Sequence, residues 1–403
     1  MHKVYIDGEP TSLEEEPLAS GGQAAVHAVV GQPQRVVKIY HDAPGPEQQR
    51  RLTSMIRMSP LTGRATDGRQ AAELAWPAAL ARDAEGAIVG YAMQRFDQPG
   101  HVPLAALFDR RSRAALFRPE LDWRFLLGVA WNLAYLTVRL HSEGIVVGDF
   151  SARNIVVDRD GFVTFLDCDS MSFDDPDDGT HFPSEMHTPA YSAPERFTRG
   201  TASRASDSFA LSVCVFQLLT GGTHPFAGHP KDARSVSISM RSRISGGISY
   251  VNQPERVVVP RGTVAPGVLP PALFALAQRT FATAPPDPAA RPTAVEWFEA
   301  LEATRNTVSS CGSRTHHTYA SHLSSCPWCE RLAQQYPDLF ESAPVPPPRT
   351  FADTSPGTTG PTLPRPTPPP PAPPAPAPGA LPVVLVFVFV VLLVLGVLAL
   401  VFA

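Results

Sequence analysis

Cysteine is scarce in this 403-residue chain, and its five copies are unevenly spread. Cys168 and Cys214 stand alone, while Cys311, Cys326 and Cys329 crowd one short segment. That pattern argues against a disulfide framework and favours a reducing compartment with a local metal site. Clustered positive charge is missing as well. With a net charge of −4 and no run of Lys and Arg, the chain has no nucleic-acid-binding surface legible in its sequence. Met1 to Pro17 is polar and acidic, which is not the pattern of a signal peptide.

Long apolar runs are also absent until the last stretch. Leu381 to Ala403 is 23 residues without a charge, dominated by Val and Leu. At about 1.5 Å per residue it extends roughly 33 Å, enough to cross a hydrocarbon core of about 30 Å as one helix. Before it, Pro344 to Pro378 holds 16 prolines and almost no charge, which reads as an extended polyproline-type spacer. A proline-binding partner could recognise that spacer.

The densest chemistry lies in Val147 to Asp167, VGDFSARNIVVDRDGFVTFLD. Asn154 precedes an apolar strand, Ile155 to Val157, and Asp160-Gly161 supplies a turn. Phe162 to Leu166 form the return strand, and Asp167 follows it. In an antiparallel hairpin, the residue before the first strand and the residue after the second lie side by side. Asn154 and Asp167 therefore present two oxygen ligands at one open end, as a hard, phosphate-bound Mg²⁺ requires. Asp149, just upstream, is placed to accept a proton from an attacking hydroxyl. An acid, an amide and a second acid in this order suit phosphoryl transfer.

These residues resemble the catalytic loop and metal-binding segment of eukaryotic-like protein kinases, H-R-D-x-x-x-x-N followed by D-F-G. The resemblance implies that Asp149 is the catalytic base, Asn154 the second-metal amide and Asp167 the principal metal acid. The chain departs from the pattern at Val147 and Gly148, which stand for His and Arg, and at Cys168 and Asp169, which stand for Phe and Gly. Without an arginine at 148, a phosphorylated activation loop lacks its usual partner. Ser151 stands where serine/threonine kinases carry a lysine, and Arg153 resembles the placement in tyrosine kinases. The GDF-x-x-RN form is most similar to a bacterial kinase branch.

Upstream, Leu18 to Tyr40 reads as strand, glycine turn, strand, loop and strand. RVVKIY places Lys38 on the same face as Val36, so an ammonium and an apolar adenine contact point into one cleft. By resemblance, Gly21 and Gly22 belong to the glycine-rich loop and Lys38 is the third-strand lysine. Val26, Val36 and Gln94 are then expected at the nucleotide, Gln94 at the hinge. Only the middle glycine of GxGxxG is kept, as Gly21. Pro46 to Met58 reads as the next helix, with Glu47 the candidate to pair with Lys38. Trp76 to Gln94 reads as a hairpin, and Asp122 to His141 as a long amphipathic helix.

Further on, Thr188 to Glu195, TPAYSAPE, resembles the substrate-docking segment. Asp207 is implied to anchor the catalytic-loop backbone, and Arg291 to pair with Glu195. Thr293-x-x-Glu296 reads as a capping box opening the last helix.

Cys311, His316, His317, His322, Cys326 and Cys329 lie within 19 residues. CPWC aims two thiolates at one point, and Cys311 with His317 completes a Cys₃His zinc site, His316 and His322 being the fallback ligands. No thioredoxin-like pattern surrounds the knuckle. A module this small has almost no core of its own, so the metal supplies its folding energy.

The expected architecture is α+β: a bilobal kinase-like domain over 13–305, a zinc module over 307–340, a proline-rich linker over 341–380 and a transmembrane helix over 381–403. The expected function is transfer of the ATP γ-phosphate to Ser/Thr hydroxyls of proteins, with Mg²⁺ or Mn²⁺ as cofactor. The chain is expected at the cell membrane as a single-pass protein with its catalytic part in the cytoplasm. A partner for the zinc module is left open. Two other readings compete. The lost His-Arg pair and eroded glycine loop suit a nucleotide-binding pseudokinase or scaffold. The G-D loop with Asn five residues on also suits a small-molecule phosphotransferase of the aminoglycoside-kinase type.

Overall fold

The first 94 residues contribute an antiparallel seven-stranded sheet. Its strands are β1 (His2–Ile6), β2 (Glu9–Leu13), β3 (Ala19–Ser20), β4 (Ala24–Val29), β5 (Gln32–Tyr40), β6 (Ala79–Arg82) and β7 (Ile88–Gln94). They lie in the order β2-β1-β6-β7-β5-β4-β3, and β2 also meets β4, so the sheet curls nearly shut. The computed structural model describes residues 2–58, 74–96, 100–117, 121–198, 200–231, 238–282 and 287–340. The proline-rich linker and the expected membrane helix therefore lie outside the described residues. Among those described, no helix is long and apolar enough to cross a membrane.

The sheet starts before residue 13, where the kinase-like domain was expected to begin. Asp7 and Gly8, both at positive φ, make the tight turn between β1 and β2. That turn lets Val4 and Ile6 join Leu13, Val37 and Ala92 in a small core on one side of the sheet. On the other side, α1 (Pro46–Met58) buries Leu52 and Met55.

The second half is mostly helical: α2 (Arg110–Leu116), α3 (Trp123–Ser142), α4 (Arg204–Leu219), α5 (Met240–Ser245), α6 (Pro271–Thr280) and α7 (Ala294–Arg305). Asp122 caps α3 by accepting the Phe125 N–H at 2.8 Å. One stripe of α3, including Leu126, Val129, Leu133, Leu136 and Leu140, is buried against α4 and α7. Helix α4 is apolar nearly all round and is buried from Ser206 to Leu219, the expected fate of such a sequence. The Thr293–Glu296 capping box opens α7.

The cysteine-rich stretch forms a hairpin, Val308–Ser310 against Thr318–Ala320, followed by α8 (Pro327–Ala333). It is not a separate core. Ala320, Cys326, Trp328 and Phe340 belong to the same continuous cluster as α3 and α4. Arg113, almost wholly buried on α2, donates to the carbonyls of Leu107 and Leu339, and Arg110 donates to that of Asp338 at 2.9 Å. Thr318 accepts the Arg124 N–H at the start of α3, 3.0 Å away. The boundary at residue 305 thus divides the sequence but not the fold.

Candidate active site and metal centre

Two short strands, β8 (Ile155–Val157) and β9 (Val163–Phe165), pair with Ile155 opposite Phe165. Asp158 closes their turn by accepting the N–H groups of Asp160 and Phe162, each at 2.9 Å, while Gly161 takes a positive φ of 88°. At the open end, Leu166 N–H donates to the Asn154 carbonyl at 2.7 Å, which sets Asn154 and Asp167 side by side.

Asn154 donates from Nδ2 to the Asp149 carbonyl at 3.2 Å and to Asp149 Oδ2 at 3.0 Å. Among the described residues no hydrogen bond is made to its amide oxygen, which is left for another ligand. Thr188, from TPAYSAPE, donates to the other carboxylate oxygen, Asp149 Oδ1, at 2.8 Å. Asp149 is therefore held from two directions. Beneath it, Asp207 accepts the Val147 N–H at 2.7 Å and the Gly148 N–H at 3.0 Å, with His141 as a third neighbour at 3.1 Å. Arg291 makes a two-pronged pair with Glu195, 2.8 and 3.0 Å, and its guanidinium is buried.

Lys38 extends from β5 into the same cleft. Its strand runs so close to β7 that a Cβ at Gly90 would lie 1.9 Å from the Lys38 carbonyl oxygen. Lys38 Nζ pairs with Asp167 at 3.2 Å and with Asp169 at 2.8 Å. Burial pulls the ammonium's pKa down, but Asp169 and Asp167 outweigh it and hold it above its ordinary value. Glu47 does not take the place the sequence offered it. It sits in the first turn of α1, while the carboxylates on Lys38 are those of Asp167 and Asp169.

A cavity of about 580 Å³ opens between the two halves, lined by Gly22, Lys38, Asp149, Asp167, Asp169 and Met186 among others. Gly21 precedes it in a tight turn, its N–H on the Ala24 carbonyl at 2.9 Å, and its carbonyl meets His41 Nε2 at 2.9 Å. Val26 and Val36 from above, with Val156 and Leu166 from below, form one apolar layer beside Tyr91 and Met93. That layer suits a flat base. Gln94 is elsewhere: it ends β7 opposite Arg35, is exposed, and borders a separate depression with Gln34 and Met93. Asp97, the far end of the hinge expected over Gln94 to Asp97, lies outside the described residues.

Asp167 suits the divalent cation that nucleotide phosphates bring. It is half exposed and next to the free amide oxygen of Asn154, an all-oxygen donor set. Cys168 behind it is wholly buried, its thiol on the Phe165 carbonyl, and burial pushes its pKa up, so it packs as an apolar residue.

The second site is the cysteine knuckle. Cys311 Sγ lies 3.6 Å from Cys329 Sγ, and His317 Nδ1 lies 3.4 Å from both Cys326 Sγ and Cys329 Sγ. A tetrahedral zinc with ordinary bond lengths puts thiolates about 3.8 Å apart and a thiolate about 3.5 Å from an imidazole nitrogen. The four donor atoms fit that cage, all within 4.8 Å of one another. His317 presents Nδ1 because Nε2 is taken by Asp338, at 2.9 and 3.0 Å. Sequence reasoning missed Asp338, which lies beyond the cluster and belongs to no spacing rule. His322 meets the Gly267 carbonyl at 3.2 Å, and His316 faces Asp338, so neither fallback ligand enters the cage.

A family model of protein tyrosine and serine/threonine kinases matches residues 93–248. Over 336 residues the chain is 30% identical to protein kinase YegI of Escherichia coli strain K12, covering 81% of this chain and 50% of the relative. The chain belongs to the bacterial eukaryotic-like protein kinase family. Protein kinase YegI of Escherichia coli O157:H7 is 29% identical over 320 residues, 77% of this chain and 48% of the relative. Ribosomal protein S6 kinase alpha-1 of Homo sapiens is 34% identical over 122 residues, 30% of this chain and 16% of the relative. The chain spans about half the length of the YegI relatives it matches.

Proposed function

We propose that this kinase-family chain transfers the γ-phosphate of ATP to serine or threonine hydroxyls of protein substrates. The observation that carries the reading is the double hold on Asp149, by Asn154 from its own loop and by Thr188 from the docking segment. Each carboxylate oxygen keeps a lone pair, so Asp149 can orient a hydroxyl and take its proton as the oxygen attacks. Lys38 would hold the α- and β-phosphates, and the turn at Gly21 and Gly22 would cover them. Asn154 and Asp167 would hold Mg²⁺, which supplies charge neutralisation at the phosphates when bound. What the chain's own residues contribute is positioning and electrostatic stabilisation.

The same reading assigns a structural Zn²⁺ to Cys311, His317, Cys326 and Cys329. It also takes the uncharged run 381–403 as a single membrane helix, with the catalytic part on the cytoplasmic side, where ATP and reduced thiols are found.

Purified protein should phosphorylate itself or a Ser/Thr peptide library only with Mg²⁺ or Mn²⁺. Asp149→Asn, Asp167→Ala and Lys38→Met should each reduce the rate by orders of magnitude. Undiminished turnover in these variants would remove the site assignment. Release of full-length protein from membranes by carbonate would remove the membrane reading.

A further inference from the structure

Helix α1 is the wrong place to look for the partner of Lys38. Its buried polar residue facing the cleft is Arg51, a cation. Arg51 does not approach Lys38 as a counter-ion could. It donates to the carbonyls of Met171 at 2.6 Å, Asp169 at 3.4 Å and Pro183, and lies over the rings of Phe173 and Phe182. The helix thus holds the backbone of the segment that follows the metal acid. The acid has moved to that segment.

Asp169 stands two residues after Asp167, is buried, and receives three donors. Lys38 Nζ reaches Oδ1 at 2.8 Å, Tyr91 Oη the same oxygen at 3.0 Å, and Tyr40 Oη reaches Oδ2 at 2.7 Å. Tyr91 is the register partner of Lys38 across β5 and β7, and Tyr40 lies two residues along β5 on the same face. A glycine at 169 would leave the Lys38 ammonium with Asp167 as its counter-ion and would take the shared acceptor from the hydroxyls of Tyr40 and Tyr91. The site is built around a carboxylate at this position.

We propose that Asp169 is the residue that positions Lys38 for the nucleotide's α- and β-phosphates, in place of an acid on helix α1. The role rests on the kinase reading above. It makes the lysine's orientation a property of the metal-binding segment, so that seating Asp167 and seating Lys38 become one event. Helix α1 then contributes through Arg51, by fixing the segment that carries both acids.

The test compares Asp169→Asn with Glu47→Gln in the full-length protein, reading KM for ATP and kcat separately, and Mg-ATP affinity by calorimetry. Asp169→Asn keeps the shape and an acceptor but removes the charge. It should raise KM for ATP tenfold or more and weaken Mg-ATP binding to match, with protein-substrate KM unchanged. Glu47→Gln should stay within twofold of wild type. Tyr91→Phe, which removes a donor and leaves the ion pair, should lower thermal stability without the tenfold KM change. The reverse pattern, with Glu47→Gln losing ATP affinity and Asp169→Asn keeping it, would overturn the proposal. If Asp169→Asn fails to fold, Asp169→Glu moves the carboxylate by one methylene and should raise KM at least threefold; an unchanged KM would overturn it equally. If wild type transfers no phosphate, the kinase reading fails, and Mg-ATP affinity of the same variants still decides the role of Asp169.

Discussion

Thr188 Oγ1 donates to Asp149 Oδ1 across 2.8 Å, so the TPAYSAPE segment, which resembles a substrate-docking segment, is tied to the acid proposed to take the substrate's proton. Removing the hydroxyl with Thr188→Ala frees that oxygen and loosens the docking segment. One such hydrogen bond is worth about 1 kcal/mol, so kcat should fall about fivefold while Thr188→Ser stays near wild type. Steady-state kinetics with a fixed peptide checks it, and equal loss in both variants would point to packing of the methyl group instead.

Gly148 shows why the family's loop arginine is missing. Its φ is 74°, and a Cβ there would lie 2.0 Å from Ser184 Oγ and 3.3 Å from the Ala202 side chain. Gly148→Arg should therefore destabilise the protein, by about 2 to 5 kcal/mol from left-handed backbone and overpacking together. Chemical denaturation would read this. Of the activation-segment hydroxyls, Ser184 is buried and Thr188 is engaged, while Thr180 already accepts from Arg50 at 3.0 Å. Phosphatase treatment should leave activity within a fewfold of the untreated protein.

One zinc per chain should be found by metal analysis of freshly purified protein. Because Cys326, Trp328 and Phe340 share a core with α3 and α4, Cys326→Ser should lose the metal and also lower the melting temperature of the kinase half. Asp338→Asn should weaken zinc affinity by roughly 10- to 100-fold, as loss of an orienting carboxylate does. A kinase half that melts unchanged without zinc would refute the coupling.

His224 gives the docking segment an acid limit. Its Nε2 meets the Ala190 carbonyl at 2.8 Å and its Nδ1 accepts the Phe226 N–H at 3.2 Å, so the neutral ring satisfies both. Burial pulls its pKa down from 6.5 to about 4. The folded state disfavours the proton, so this contribution to stability is complete above pH 6.5 and is lost as pH falls towards 4. Thermal melts should show that slope, and His224→Gln should flatten it. An identical slope in the variant would place the titration elsewhere.

Local chemistry was legible in the chain itself. Asn154 and Asp167 meet because a hairpin with one strongly marked turn allows a single register. The Thr293–Glu296 cap and the Cys311, His317, Cys326 and Cys329 cage follow from spacings of a few residues, or of fewer than twenty, that bring donors together by short-range geometry. Family resemblance reached further, to Asp207 under the loop and Arg291 on Glu195, because those pairs are part of how the lobe packs.

Tertiary structure decided the rest. Lys38 and Asp169 are 131 positions apart, and no periodicity distinguishes Asp169 from Glu47 as the partner. The choice is made by which carboxylate the closed sheet, with Tyr40 and Tyr91 already facing inward, can bury with all its donors satisfied. Asp338 joins His317 only once the chain has passed α8 and folded back, and Ser184 fills the space beside Gly148 only when the activation segment docks. Such outcomes depend on the sum of many weak long-range contacts, and no short stretch of sequence carries that sum.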